Sequence, residues 1–173
     1  MDNISAQEIT DIKQIAAIRA EIESRMNDFD YANTTTDELF RYQPFILSTI
    51  MGYKMDVPIN DLPHIINLYV LIWLFYRDKK NVRKIPITEK QFTKQESRFI
   101  ALLKRYETTT SKEVKNKLMD DDLGNLSSKT LYAMLISEFR ENKVLHKLDR
   151  ESRGAVSVGF TVLIKCFDEI IAK

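Results

Sequence analysis

Ile65-Ile66-Asn67-Leu68-Tyr69-Val70-Leu71-Ile72-Trp73-Leu74-Phe75-Tyr76 is the stretch on which the fold class turns. Its side chains are apolar throughout, apart from the carboxamide of Asn67. A membrane-spanning helix needs about twenty such residues, so twelve fit a helix buried inside a protein core. Asn60 or Asp61 starts that helix, and Pro63 is tolerated in its first turn. The run Arg77-Asp78-Lys79-Lys80 ends it with cations, which suit the negative end of the helix dipole.

The rest of the chain reads the same way. Ser5-Ala6-Gln7-Glu8 fits a capping box. Behind it, Ile12, Ile15, Ala16, Ile18, Ile22 and Met26 form an apolar stripe at helical spacing. Asn33 to Thr36 reads as a loop. A second helix opens with the capping box Thr35-Thr36-Asp37-Glu38 and runs to Gly52, and Pro44 either kinks it or marks its true start. After the linker Asn81–Ile87, a fourth helix opens at Thr88, with Phe92, Phe99 and Tyr106 on one face. A short helix follows from Thr110 or Ser111 to Leu118, with Thr110-Ser111-Lys112-Glu113 as its start signal. Asp120-Asp121-Asp122-Leu123-Gly124-Asn125 reads as a loop. A sixth helix runs from Ser127 or Ser128 to about Lys143. The last, from Asp149 onward, is dense in apolar residues from Val156 to Ile171 and reads as a second central helix.

The expectation is a soluble all-α single domain over residues 1–173, a bundle of six to seven helices. Only four Gly and four Pro interrupt the 173 residues, too few for the turns of a many-stranded sheet. The opening Met1-Asp2-Asn3-Ile4-Ser5 lacks the basic start and apolar core of a signal peptide. This supports a cytoplasmic location, with no membrane association. At a constant offset of 92, Thr35-Thr36 aligns with Ser127-Ser128, Leu39-Phe40 with Leu131-Tyr132, Val70-Leu71-Ile72 with Val162-Leu163-Ile164, and Phe75 with Phe167. This suggests two pseudo-repeated helical hairpins, 35–77 and 127–169.

Function leaves fewer marks. The single cysteine, Cys166, excludes an internal disulfide and any multi-cysteine zinc site. His64 and His146 have no His or Cys at metal-ligand spacing, and His64 reads as a surface or boundary residue. The loop at Asp120 fails the calcium-loop pattern, because with Gly124 at position six, Met119 and Leu123 fall at positions one and five. No phosphate loop, nucleophile elbow or HExxH occurs. Nothing calls for a cofactor or metal.

The net charge of +1 conceals a division. Residues 1–61 carry −6, residues 77–117 carry +8 and residues 118–173 carry −1. The acidic and basic segments either neutralise one another, within the fold or across a dimer, or leave a basic surface for an anion. The densest cluster holds Arg77, Lys79, Lys80, Arg83 and Lys84, which could track a phosphate backbone.

Arg140-Glu141-Asn142-Lys143-Val144-Leu145-His146 resembles the R-x(4–6)-H motif of HEPN domains, small all-α proteins that are often metal-independent ribonucleases. The resemblance covers these seven residues. It implies an Arg140 that stabilises phosphate charge and a His146 that works on the 2′-hydroxyl or leaving group. Glu141 stands where that family usually has a polar residue such as Asn, and its carboxylate would repel a phosphate. A third possibility is a small-molecule pocket lined by Tyr69, Trp73 and Phe75. The absence of a reactive constellation, the segregated charge and the abundance of apolar residues favour a non-catalytic helical module that binds a protein partner or itself. Nucleic acid is the less favoured partner.

Overall fold

A computed structural model describes residues 5–25, 27–55 and 57–173. Among these there is no strand. The nine α-helices are α1 (Ala6–Arg25), α2 (Phe29–Tyr42), α3 (Pro44–Gly52), α4 (Leu62–Tyr76), α5 (Glu89–Thr108), α6 (Lys112–Leu123), α7 (Lys129–Glu141), α8 (Lys143–Lys147) and α9 (Arg150–Ile171). A 3₁₀ turn at Tyr53–Met55 follows α3. No helix among the described residues is long and apolar enough to cross a membrane.

The opening stretch is α4, and it is enclosed on nearly every side. Every residue from Leu68 to Tyr76 is buried, as expected of a helix that is apolar all round. It packs against α1, α3, α8 and α9. The second central helix, α9, packs against α4, α5 and α7. Tyr76 stacks on Phe167 at 4.6 Å between ring centroids, and its hydroxyl donates to Asp168 Oδ1 at 2.9 Å. The same carboxylate accepts from the Ser127 backbone N–H at 2.9 Å, which ties the start of α7 to α9.

Gly159 is required by a close approach. A Cβ there would lie 2.3 Å from the hydroxyls of both Tyr53 and Tyr69. Those hydroxyls are hydrogen-bonded to each other at 2.7 Å, and Tyr53 also donates to the Ala155 carbonyl at 3.3 Å. Burial pushes the Tyr53 hydroxyl up to about 12 and the Tyr69 hydroxyl well above its ordinary value.

Several helix starts follow the sequence. The Ser5 N–H donates to Glu8 Oε2 at 2.7 Å and the Glu8 N–H to Ser5 Oγ at 3.2 Å, a complete capping box. Its bonds from Ser5 hold the Glu8 carboxyl below its ordinary value. Thr88 Oγ accepts from the Gln91 N–H. Asp149 caps α9 through the N–H groups of Glu151 and Ser152, and the Ser152 hydroxyl, with these bonds, holds its carboxyl below its ordinary value. Pro44 is the true start of α3 rather than a kink.

Other starts differ. The capping box at Thr35 does not form. Asp28 caps α2 seven residues earlier, through the N–H groups of Asp30 and Tyr31. The hydroxyls of Thr34 and Thr36 donate instead to carbonyls one turn back, so the expected loop at 33–36 is helical. Ser111, not Thr110, caps α6. That helix runs on through the three aspartates to Leu123, because Lys165 Nζ meets Asp122 Oδ2 at 2.6 Å and Leu123 packs against the core. The expected sixth helix stops at Glu141, where extended Asn142 begins α8.

Along α1 the buried row is Asp11, Ile15, Ile18 and Ile22, at spacings of four, three and four. Ile12 and Ala16 fall one position outside it and are exposed, and Met26 lies outside the described residues. The linker 81–87 is held by a side chain that carried no sequence signal. Gln43 is wholly buried, and its Nε2 donates to the carbonyls of Val82 at 2.7 Å and Ile85 at 3.1 Å, while its Oε1 accepts from the Ile87 N–H at 2.8 Å.

The internal correspondence is met only in part. Shifted by 92 positions, α4 falls inside α9, but the start of α2 at Phe29 falls inside α6, and α7 begins at Lys129. The helix starts that the two hairpins were expected to share do not coincide.

Candidate functional site

The five cations of the 77–84 cluster divide. Arg77 pairs with Glu38 at 3.3 Å and with Asp78 at 3.6 Å. Arg83 pairs with Asp78 at 2.7 Å and donates to the Arg77 carbonyl at 3.1 Å. Lys79 Nζ sits 3.9 Å over the Phe75 ring, and burial lowers its pKa below the ordinary lysine value. These three staple the C-terminal end of α4. Lys80 and Lys84 are exposed and make no ion pair among the described residues.

The two segments meet where Gln43 holds the 81–87 linker and Phe45 packs on Phe92, but their longest helices, α1 and α5, lie on different flanks. Helix α1 packs on α4 and α7, whereas α5 packs on α9 and α6. Among the described residues Arg77–Glu38 is the one ion pair that joins the segments. The larger unpaired cation row is on α5. Lys90, Lys94, Arg98, Lys104 and Arg105 are all exposed and, at 100° per residue, share about one third of the helix circumference.

Arg140 lies in the last turn of α7 and His146 in α8, and both are exposed. Asn142 separates them: its Oδ1 accepts from the N–H groups of Val144 at 2.9 Å and Leu145 at 3.2 Å. Glu141 accepts a hydrogen bond from Ser137 Oγ at 2.7 Å, and the His146 carbonyl accepts from Arg153 at 3.3 Å. Tyr69, Trp73 and Phe75 are wholly or almost wholly buried core side chains, which removes them as the walls of an open pocket. Cys166 is also buried, and desolvation pushes its thiol up to about 12, far from a reactive thiolate. Among the described residues no group of three or more His, Cys, Asp or Glu could hold a metal ion.

A cleft near the start of α4 sets an ion pair and a His–Asn pair beside buried apolar side chains. It has a volume of about 210 Å³ and lies between α1, α4 and the end of α7. Buried Ile22, Leu68 and Leu71 form its apolar part. Arg19 and Glu138 line it as an ion pair, with Glu23 and Asn67 beside them. His64 and Asn142 complete it, 3.3 Å apart between Nδ1 and Nδ2. The Asn142 cap fixes its amide: Oδ1 faces the α8 N–H groups, so Nδ2 must donate to His64. His64 Nδ1 is therefore an acceptor, and the neutral ring carries its proton on Nε2. The sequence alone did not bring this site together: His64 read as a surface or boundary residue, and Asn67 stood out only as the carboxamide in the α4 run.

The surface carries a second feature. Among the described residues, all five large apolar side chains that are more than half exposed fall between positions 29 and 59: Phe29 at 77%, Phe40 at 71%, Met51 at 54%, Met55 at 89% and Ile59 at 62%. Phe29 and Phe40, eleven residues apart, return to the same face of α2 after three turns. Pro44, Ser48 and Met51 share the outer face of α3, and Met55 and Ile59 follow it. Phe40, which the offset of 92 aligned with Tyr132, points outward, whereas Tyr132 is half-buried.

No family model, curated protein or solved structure matches the chain.

Proposed function

We propose that this protein is a non-catalytic helical module that binds another protein chain, a partner or a second copy of itself, through the α2–α3 surface. The clustering of the most exposed apolar side chains between Phe29 and Ile59 carries this reading. Single exposed apolar residues are ordinary on any protein, but five concentrated on two consecutive helices and the segment after them are not. Two are methionines, whose flexible side chains adapt to the shape of a partner. Burying Phe40, Met51, Met55 and Ile59 would contribute about 6–12 kcal/mol before the costs of association.

The free protein and a Phe40→Ser/Met51→Ser/Met55→Ser variant are to be compared by sedimentation velocity, alone and with candidate partners. All three side chains are exposed, so the variant keeps the wild-type circular dichroism spectrum. The wild type forms a defined complex and the variant does not. A wild type that stays monomeric and joins no other chain would remove the proposal.

A further inference from the structure

We propose that the α1–α4–α7 cleft is a binding site for a free α-amino acid with an apolar side chain about the size of leucine's. The inference is independent of the α2–α3 surface and begins with Asn67. Its carboxamide is half-buried and makes no hydrogen bond to another described residue. It lines the cleft instead.

The remaining groups define what would satisfy it. His64 Nε2–H is a free donor, because Nδ1 is engaged by Asn142. Arg19 has N–H groups beyond the one held by Glu138. Glu23 is a carboxylate with no partner among the described residues. A ligand carrying only negative charge would meet Glu23 and Glu138. A ligand carrying only positive charge would leave the donors of His64, Asn67 and Arg19 facing no acceptor. A zwitterion answers both sets, with its carboxylate toward Arg19, His64 and Asn67 and its ammonium toward Glu23 and Glu138. The Ile22, Leu68 and Leu71 surface then takes an aliphatic side chain. Size agrees: an apolar cavity of about 150 Å³ holds benzene, and by that ratio 210 Å³ holds about eight or nine heavy atoms. Leucine has nine.

The test is isothermal titration calorimetry of the full chain with leucine, isoleucine, valine and methionine. Two leucine fragments accompany them: isoamylamine, which lacks the carboxylate, and 4-methylpentanoate, which lacks the amine. At least one of the amino acids binds one-to-one, and each fragment binds more than about tenfold more weakly than leucine. Asn67→Leu and Glu23→Gln each weaken amino-acid binding by at least about tenfold while melting no lower than the wild type. The exposed Glu23 site gives a variant whose folding is not in question. The proposal is overturned if none of the four amino acids binds at millimolar concentration, if isoamylamine binds as well as leucine, or if Asn67→Leu binds as the wild type does.

Discussion

Gly154 and Gly159 lie five residues apart in α9, and replacing each by alanine should move stability in opposite directions. The intrinsic change is the same: alanine is favoured over glycine in a helix interior by about 0.5–1 kcal/mol. At exposed Gly154 a new Cβ meets nothing within 4 Å, so Gly154→Ala should gain most of that. At Gly159 the Cβ would stand 2.3 Å from the hydroxyl oxygens of Tyr53 and Tyr69, roughly 1 Å inside contact distance. Both rings are buried, so they yield only by separating their hydrogen-bonded pair and shifting the core. Overpacking of this kind costs about 1–3 kcal/mol, and buried hydroxyls left without partners cost about 1–3 kcal/mol more. Set against the helix gain, Gly159→Ala should lose about 2–4 kcal/mol. The two variants are then separated by about 3–5 kcal/mol, or roughly 6–20 °C in melting temperature for a chain of this size. Urea titration followed by helical circular dichroism measures both, and unchanged m-values show that the transitions are comparable. If Gly159→Ala is as stable as Gly154→Ala, the close approach of α9 to Tyr53 and Tyr69 is wrong.

Gln43→Leu removes three hydrogen bonds at a wholly buried site and strands the Val82 and Ile85 carbonyls and the Ile87 N–H; the expected loss is about 3–5 kcal/mol, read by denaturant titration. Asn142→Ala removes the cap of α8, and a loss of about 1 kcal/mol is expected, with faster amide exchange at Val144 and Leu145; unchanged exchange there would mean that Asn142 does not cap the helix. Folding raises the Cys166 thiol from 9.0 to about 12, so the folded state favours the neutral thiol. Its contribution is complete below pH 9.0 and is lost as pH rises toward about 12. Stability should fall over that window, with Tyr53 adding to the fall above its ordinary 10.0. At neutral pH a thiol reagent should label native Cys166 only at the rate of opening, measured by the colour released.

The two central helices were legible because Ile65–Tyr76 is apolar nearly all round and Val156–Ile171 is dense in apolar residues. Start signals at Ser5, Thr88 and Asp149 were legible because a cap is a local bond, completed within four residues. Thr35 misled for the same reason. Its box pattern was present, but Asp28 had already capped the helix and the neighbouring threonine hydroxyls found carbonyls inside it. Asn142 was read as a residue within a helix, and only the structure shows it ending one helix and beginning another. Gln43 reaches its partners about forty positions away, and no periodicity announces such a bond. The cleft is assembled from residues between Arg19 and Asn142 on three helices and the segment after α7, so no contiguous motif could hold it. Asn67 was visible as a polar residue in an apolar run, but its neighbours were not.

Site-specific photo-crosslinking in living cells tests the α2–α3 surface most directly. A photoreactive amino acid is placed at exposed Met55, and in a separate variant at exposed Lys90 on α5. The expected result is one discrete crosslinked species from position 55, identified by mass spectrometry as a second copy or a single partner and absent from position 90. No crosslink at position 55, or the same diffuse products from both positions, would contradict the account.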